Sequence, residues 1–343
     1  MVRSGRRLCE VRAAALAYVL PSVRNCPGNT RICRGYLGQS EEGLGERALQ
    51  HSSEHRSSYR EYHRRVCRCF GNPNDLLRWG RNIVPLAVRK TEHLFGKTRE
   101  SVRKIARDIR EVRPDTIVIA SPHNLRLQSK IGIVTSENST GELNGPTGKK
   151  VSLSLKCDRQ FAQDLLQEST RKHLPVVGAN YGTSEGPASD MPMDWGTLVP
   201  MWFVAKEEQV KARTVIVTPS REIPLRQNTA LGTTIAEMAE KRKKRIVFIA
   251  SADQAHAHKK SGPYGYHRSA AKYDEFVSQA IQKNRIESIS RLSKRFIEDA
   301  KPDSLWQMAI LAGLTKVVKM RGNMLSYEVP TYYGMICASF VRA

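Results

Sequence analysis

Two stretches of this 343-residue chain run apolar and β-branched and then end in histidine. DTIVIASPH, residues 115 to 123, delivers His123, and RIVFIASADQAHAH, residues 245 to 258, delivers His256 and His258. Imidazole is the commonest protein ligand for iron and zinc, and near neutral pH it is the natural general base. Two buried strands that each hand a histidine to their C-terminal end point to one site at one sheet edge. Its chemistry would be metal binding, proton transfer or both.

The rest of the sequence supplies elements that could hold such a site. TIVIAS (116–121), PVVGANY (175–181), TVIVTPS (214–220) and IVFIAS (246–251) are short, near-continuous apolar runs, the pattern of strands covered on both faces. Between them DRQFAQDLLQESTRK and LGTTIAEMAEKRKKR read as helices. Ahead of the first strand, Val102, Ile105, Ile109 and Val112 form one helical stripe, with Pro114 just past its end. This alternation predicts an α/β fold, a largely parallel central sheet with helices on both faces. In such sheets ligands bind outside the carboxyl ends of the strands, where His123 and His256 fall.

Composition bounds the reading. The chain is 40% hydrophobic, and none of its apolar runs approaches the ~18 residues of a membrane span. Its formal charge of +23 would suit a polyanion, but the charge is unevenly made. Residues 1 to 80 hold fourteen Arg, no Lys and five of the seven Cys, whereas every lysine lies beyond. We therefore read residues 1–82 as a poorly ordered or aberrant N-terminal segment and residues 83–343 as the catalytic domain. As a signal peptide, the run AAALAYVL lacks a clear cleavage site. As a zinc module, Cys67 and Cys69 have the wrong spacing, and as a nucleic-acid arm the arginines are too dispersed.

Taken together, RPDTIVIASPH, MDWGTLVPMWF, IVFIASADQAHAH, GPYGYHRSAAKYDE, KPDSLWQMAILAGL and SYEVPTYYGM resemble the class III extradiol ring-cleavage dioxygenases, the family of the protocatechuate 4,5-dioxygenase β subunit. The resemblance runs from about residue 83 to the C-terminus. It implies a non-haem Fe(II) enzyme, with zinc the alternative metal, that opens a catecholic ring with O2 through two histidines and a carboxylate.

Carried over position by position, the resemblance makes His123 the second histidine ligand. His256, in SADQAH, becomes the acid/base that serves the substrate hydroxyl. His258 is either a second polar contact to substrate or a surface histidine beside Lys259 and Lys260. The carboxylate ligand falls in EDAKPDSLWQMAILAG, as Asp303 or, in reserve, Glu298; the other reading of Asp303 is a helix N-cap. The first histidine is missing from its expected place, where Trp79 stands, and an indole offers no lone pair to a metal. Trp195 likewise stands where many relatives have a histidine.

The partners implied are a small catechol-type aromatic and O2, in a cytoplasmic enzyme with no membrane contact; a homo-oligomer stays open. Nucleic acid is not expected, because no aromatics interleave with a basic patch. GPTGKK (145–150) lacks phosphate-loop spacing and reads as a surface turn, and EKRKKR (240–245) as a solvated helix terminus. Two alternatives to an active dioxygenase stand: a metal-poor, inactive homologue of the same fold, and a polyanion-binding protein.

Overall fold

A computed structural model describes residues 11–16, 95–144 and 150–343. Its main sheet has eight strands: β1 (Val11–Leu16), β2 (Thr116–Ala120), β3 (Ile131–Val134), β6 (Val176–Ala179), β8 (Arg213–Thr218), β9 (Ile246–Ser251), β10 (Met320–Glu328) and β11 (Met335–Arg342). Their spatial order is β10-β11-β1-β9-β2-β8-β3-β6. β1, β9, β2 and β8 run parallel to one another, and β10, β11 and β3 join antiparallel to their inner neighbours. The expected α/β architecture with a mostly parallel sheet is what the chain forms.

The parallel centre explains the continuous apolar runs. Alternate residues of β2 serve opposite layers: Val118 and Ala120 pack with the helices of one face, Ile117 and Ile119 with those of the other. All five residues of β2 and all six of β9 are buried. The first face carries α2 (Arg159–Arg171), α4 (Leu225–Arg242), α5 (Ser269–Gln282) and α7 (Leu305–Val317). The second carries α1 (Gly96–Val112), α3 (Trp195–Met201) and a three-stranded sheet of β5 (Lys150–Lys156), β4 (Asn138–Asn144) and β7 (Asp190–Pro192). Val102, Ile105, Ile109 and Val112 of α1 are buried, as the stripe required, at about 1.5–3 kcal/mol for each large side chain. A short α6 (Lys294–Ala300) leads into α7.

The structure changes or adds to the sequence reading at three places. Val11–Leu16 lies within the segment read as poorly ordered, yet it pairs along its length with β9 and on its other side with β11. VRAAAL is only six residues long, too short a run for periodicity to tell strand from helix. The rest of residues 1–82, Trp79 included, lies outside the described residues. Secondly, β6 is not covered on both faces: it is the outermost strand, bonded only to β3 in this sheet, and Val177 is 38% exposed. Thirdly, β5 and β4 flank the GPTGKK turn and were not foreseen as a sheet; residues 145–149 of that turn are outside the described residues. EKRKKR does close a helix, with Lys241 and Arg242 in the last turn of α4 and Lys243 at its C-cap.

α4 and α7 cross in close contact. A Cβ on Gly232 would overlap the carbonyl oxygen of Ile310, and one on Gly313 would overlap that of Thr229, so both helices need glycine where they meet.

Candidate functional site

β2 and β9 are neighbours in parallel register, Ala120 beside Ala250, so the chain leaves both at the same sheet edge. His123 follows β2 by three residues, and Asp253 and His256 lie on the turn after β9. Two other connections reach this edge: the turn from β8 to α4, which carries Arg221, and the junction of α6 and α7, which carries Asp303.

The turn after β9 is pinned through its backbone. Gln254 N–H donates to Gly334 O (2.9 Å), Ala255 N–H to the Asp274 carboxylate (2.9 Å), and His256 N–H to Ala300 O (3.1 Å). Asp303 N–H donates to Gln254 O (3.3 Å), and Ser304 Oγ donates to Gln254 Oε1 (3.0 Å). These bonds fasten the α6–α7 junction to the turn and carry Asp303 to Asp253. The N-cap of α7 is Ser304, so Asp303 does not have the capping role.

His123 is held differently. Its ring lies 4.6 Å, centroid to centroid, from that of Trp195, with an interplanar angle of 31°. Trp195 opens α3 and is set by the N-cap Asp194, whose carboxylate accepts from Thr197 N–H (3.2 Å) and from Ser121 Oγ. Burial pushes the Asp194 carboxyl above its usual range. The residue flagged as a departure from the family pattern is thus the plate against which the candidate ligand rests.

One nitrogen or oxygen each from His123, Asp253 and Asp303 come together, all within 4.8 Å of one another. His123 Nε2 is 3.4 Å from Asp303 Oδ2. Neither His123 Nε2 nor either oxygen of Asp253 has a well-aligned hydrogen bond among the described residues, although all three atoms are buried. Orphaned buried donors and acceptors carry a cost that a bound ion relieves. Burial, followed by the nearby Arg221 and His256, pulls the His123 pKa down to about 3, so its imidazole is neutral with a lone pair free. One neutral imidazole and two carboxylates suit a divalent transition metal.

His256 stands beside the cluster. Its Nδ1 lies 3.1 Å from Gln254 O and 3.0 Å from Lys301 O, and carbonyls only accept, so Nδ1 carries a proton. Its Nε2 is 3.2 Å from Asp253 Oδ2. Burial raises the Asp253 carboxyl, against the lowering pull of His256 and Arg221. Tyr264, Tyr332 and Tyr333 surround the imidazole with ring centroids 5.4, 5.6 and 5.7 Å away. Tyr264 is 55% exposed and stands at the rim, while Tyr332 and Tyr333 are buried.

Two sequence candidates are not brought to this cluster. Glu298 lies exposed on α6, 3.8 Å from Lys294, because the helix turns that face to solvent. His258 is not among the clustered donors, and its side chain is largely buried. Its Nε2 is bonded to Asp274 Oδ2 (2.8 Å), a carboxylate fully buried and also bonded by Tyr327 Oη (2.8 Å). Its job is to fasten the far end of the turn. Sequence reasoning missed Asp253, although it stands in the quoted SADQAH segment two residues past a buried strand. It also missed Arg221, which carries no spacing signal at all. The described residues thus gather one histidine and two carboxylates, where the resemblance had implied two histidines and one carboxylate.

No helix among the described residues is long and apolar enough to cross a membrane. Residues 83–337 match the family model of the catalytic LigB subunit of aromatic ring-opening dioxygenases. Protein CA_C1420 of Clostridium acetobutylicum is 26% identical over 247 residues, which are 72% of this chain and 52% of that protein. The match therefore spans about half the length of that relative. A crystal structure of the uncharacterized protein JW3007 from Escherichia coli K12 superposes with a TM-score of 0.47 at 11% identity, covering 70% of this chain and 91% of the other. With the family match extending over most of the chain, from just before α1 into β11, this protein belongs to the LigB family, that of the catalytic subunit of aromatic ring-opening dioxygenases.

Proposed function

We propose that this chain is a non-haem Fe(II)-dependent extradiol dioxygenase, cleaving a catechol-type ring with O2, and that His123, Asp253 and Asp303 hold the metal. Zinc is the alternative ion. The observation that carries this reading is the meeting of three metal-type donor residues, two of them with buried ligand atoms that make no well-aligned hydrogen bond among the described residues, beside a histidine poised for proton transfer. When bound, the iron supplies Lewis acidity toward the diol and redox capacity toward O2.

The chain's own residues do the rest. His256, with Nδ1 fixed as a donor to two carbonyls, presents Nε2 as the nitrogen that takes a proton from a substrate hydroxyl and returns it. Asp253, 3.2 Å away, stabilises that nitrogen when it is protonated. The tilted contact with the Trp195 ring restricts rotation of the His123 ring, and its low pKa keeps the lone pair free across the working pH range. Tyr264 and Tyr332 offer aromatic surface for a small planar substrate. Residues 83–343, with the strand Val11–Leu16 that pairs between β9 and β11, constitute the catalytic domain in this reading, and the enzyme is cytoplasmic.

The inactive-homologue reading has one observation in its favour: a guanidinium of the chain itself, that of Arg221, sits on Asp303. Anaerobic reconstitution with Fe(II), followed by oxygen-electrode assays on a panel of catechols, separates the two. Iron-dependent oxygen uptake with formation of a ring-opened product, lost in His123→Ala, is the expected result. Full iron occupancy without uptake for any catechol would favour the inactive homologue.

A further inference from the structure

Arg221 touches the candidate ligand set, and the function proposed above gives it no role. It lies on the turn between β8 and α4. Its guanidinium holds one oxygen of Asp303, whose other oxygen faces His123 Nε2 at 3.4 Å. Its planar face rests over the Trp306 ring, 5.0 Å from the centroid. The Arg221 side chain is 38% exposed and that of Asp303 7%, so the guanidinium spans from the buried carboxylate to solvent.

Two effects of such a contact compete. A hydrogen bond to a ligating carboxylate orients it and ordinarily strengthens metal binding. A permanent positive charge on the same carboxylate opposes the entry of a second cation, and it takes one unit from the negative charge that the site offers. With Arg221 in place, a neutral His123 and two ionised carboxylates sum to one negative charge; without it, to two. Orientation has little left to contribute, because the backbone of Asp303 is already bonded to Gln254 and its side chain is buried. Charge therefore decides the sign.

We propose that Arg221 is an internal cation that satisfies Asp303 in the metal-free protein and competes with the metal for it, with Trp306 as the platform to which the guanidinium withdraws. This rests on the reading of His123, Asp253 and Asp303 as the metal site, and it adds a residue that sets how tightly, and against which ions, the site loads. A weakly held ion loses this competition, whereas one with high affinity for imidazole and carboxylate wins it.

The test is calorimetric titration of the chelator-treated full chain with Fe(II) under anaerobic conditions, and separately with Zn(II). The proteins compared are the unaltered chain, Arg221→Met, Arg221→Gln and the double variant Arg221→Met/Asp303→Asn, each checked for folding by circular dichroism. Both single variants are expected to bind at least about tenfold tighter than the unaltered chain, within the range by which partners of metal ligands alter affinity. The gain should vanish in the double variant when it is compared with Asp303→Asn, a fifth protein titrated in the same way. Equal or weaker binding by the single variants, with the unaltered chain still binding, would overturn the competition and leave the metal site standing. Absence of binding by every protein would overturn both.

Discussion

His256 Nε2 and Asp253 Oδ2 lie 3.2 Å apart, and they are three residues apart on a single turn. One connection after β9 therefore supplies both a candidate metal ligand and the candidate proton carrier. The two cannot drift relative to each other without breaking the backbone bonds of Gln254, Ala255 and His256. This coupling orders the experiments that follow.

Asp253→Asn keeps the shape and removes the charge. The variant is expected to fold and to lose at least about 10- to 100-fold in Fe(II) affinity, since loss of a ligand costs no less than loss of a ligand's partner. Metal analysis after dialysis reads this directly. Unchanged stoichiometric iron would take Asp253 out of the ligand set.

His256→Ala should retain metal and lose turnover by roughly a hundredfold or more, the ordinary contribution of a general acid/base. Oxygen uptake and iron content measured on one sample distinguish the roles. If iron departs together with activity, His256 is a ligand and not a proton carrier.

His258→Ala leaves the buried Asp274 carboxylate without one of its partners, the Tyr327 hydroxyl and the Ala255 N–H remaining. Breaking such a pair costs about 3–5 kcal/mol. A drop in the midpoint of thermal unfolding, with iron affinity unaltered at a temperature where the variant is folded, is the expected pair of results. Loss of iron at full thermal stability would return His258 to the site.

Asp158 gives a pH dependence. It caps α2 by accepting from Phe161 N–H (3.1 Å), and it also accepts from Lys244 Nζ (2.9 Å) and Thr116 Oγ1. Burial pushes its carboxyl up, but the bonds from Thr116 and Lys244 outweigh this and hold it below the usual value of 3.8. A folded-state pKa below the unfolded one means that the unfolded chain binds the extra proton first. The stabilisation is thus complete above that value and is lost as pH falls through the folded pKa. Asp158→Asn should cost about 1–3 kcal/mol at neutral pH and less in acid. Urea unfolding of both proteins at pH 7 and pH 3 checks this, and a difference that does not shrink in acid would refute it.

The sequence made the sheet centre legible for a plain physical reason. β2, β8 and β9 are covered on both faces, so hydrophobicity alone marks them, and the histidine at the end of two of them marks the edge that matters. β1 escaped because a six-residue run of mostly small apolar residues is too short for periodicity to mark it as a strand. β5 carries a legible signal, since Val151, Leu153 and Leu155 alternate with polar residues, the pattern of a strand covered on one face. Within the site, His123, His256 and Asp303 were legible because each stands at the end of an element. Asp253 was hidden beside a more conspicuous histidine. Arg221 and the Asp274 network depend on contacts between segments tens of residues apart, such as Arg221 with Asp303, and no local pattern encodes them.

The crossing of α4 and α7 at Gly232 and Gly313 reaches further than packing. α4 begins just after the turn that carries Arg221, and α7 just after Asp303, so the two glycines act as a gauge block behind the candidate ligand cluster. The approach of the two helices is thus set by where side chains are missing. A single methyl group added at the crossing would wedge the helices apart and be felt by the carboxylate at the far end of the lever, in a helix interior that never meets the substrate.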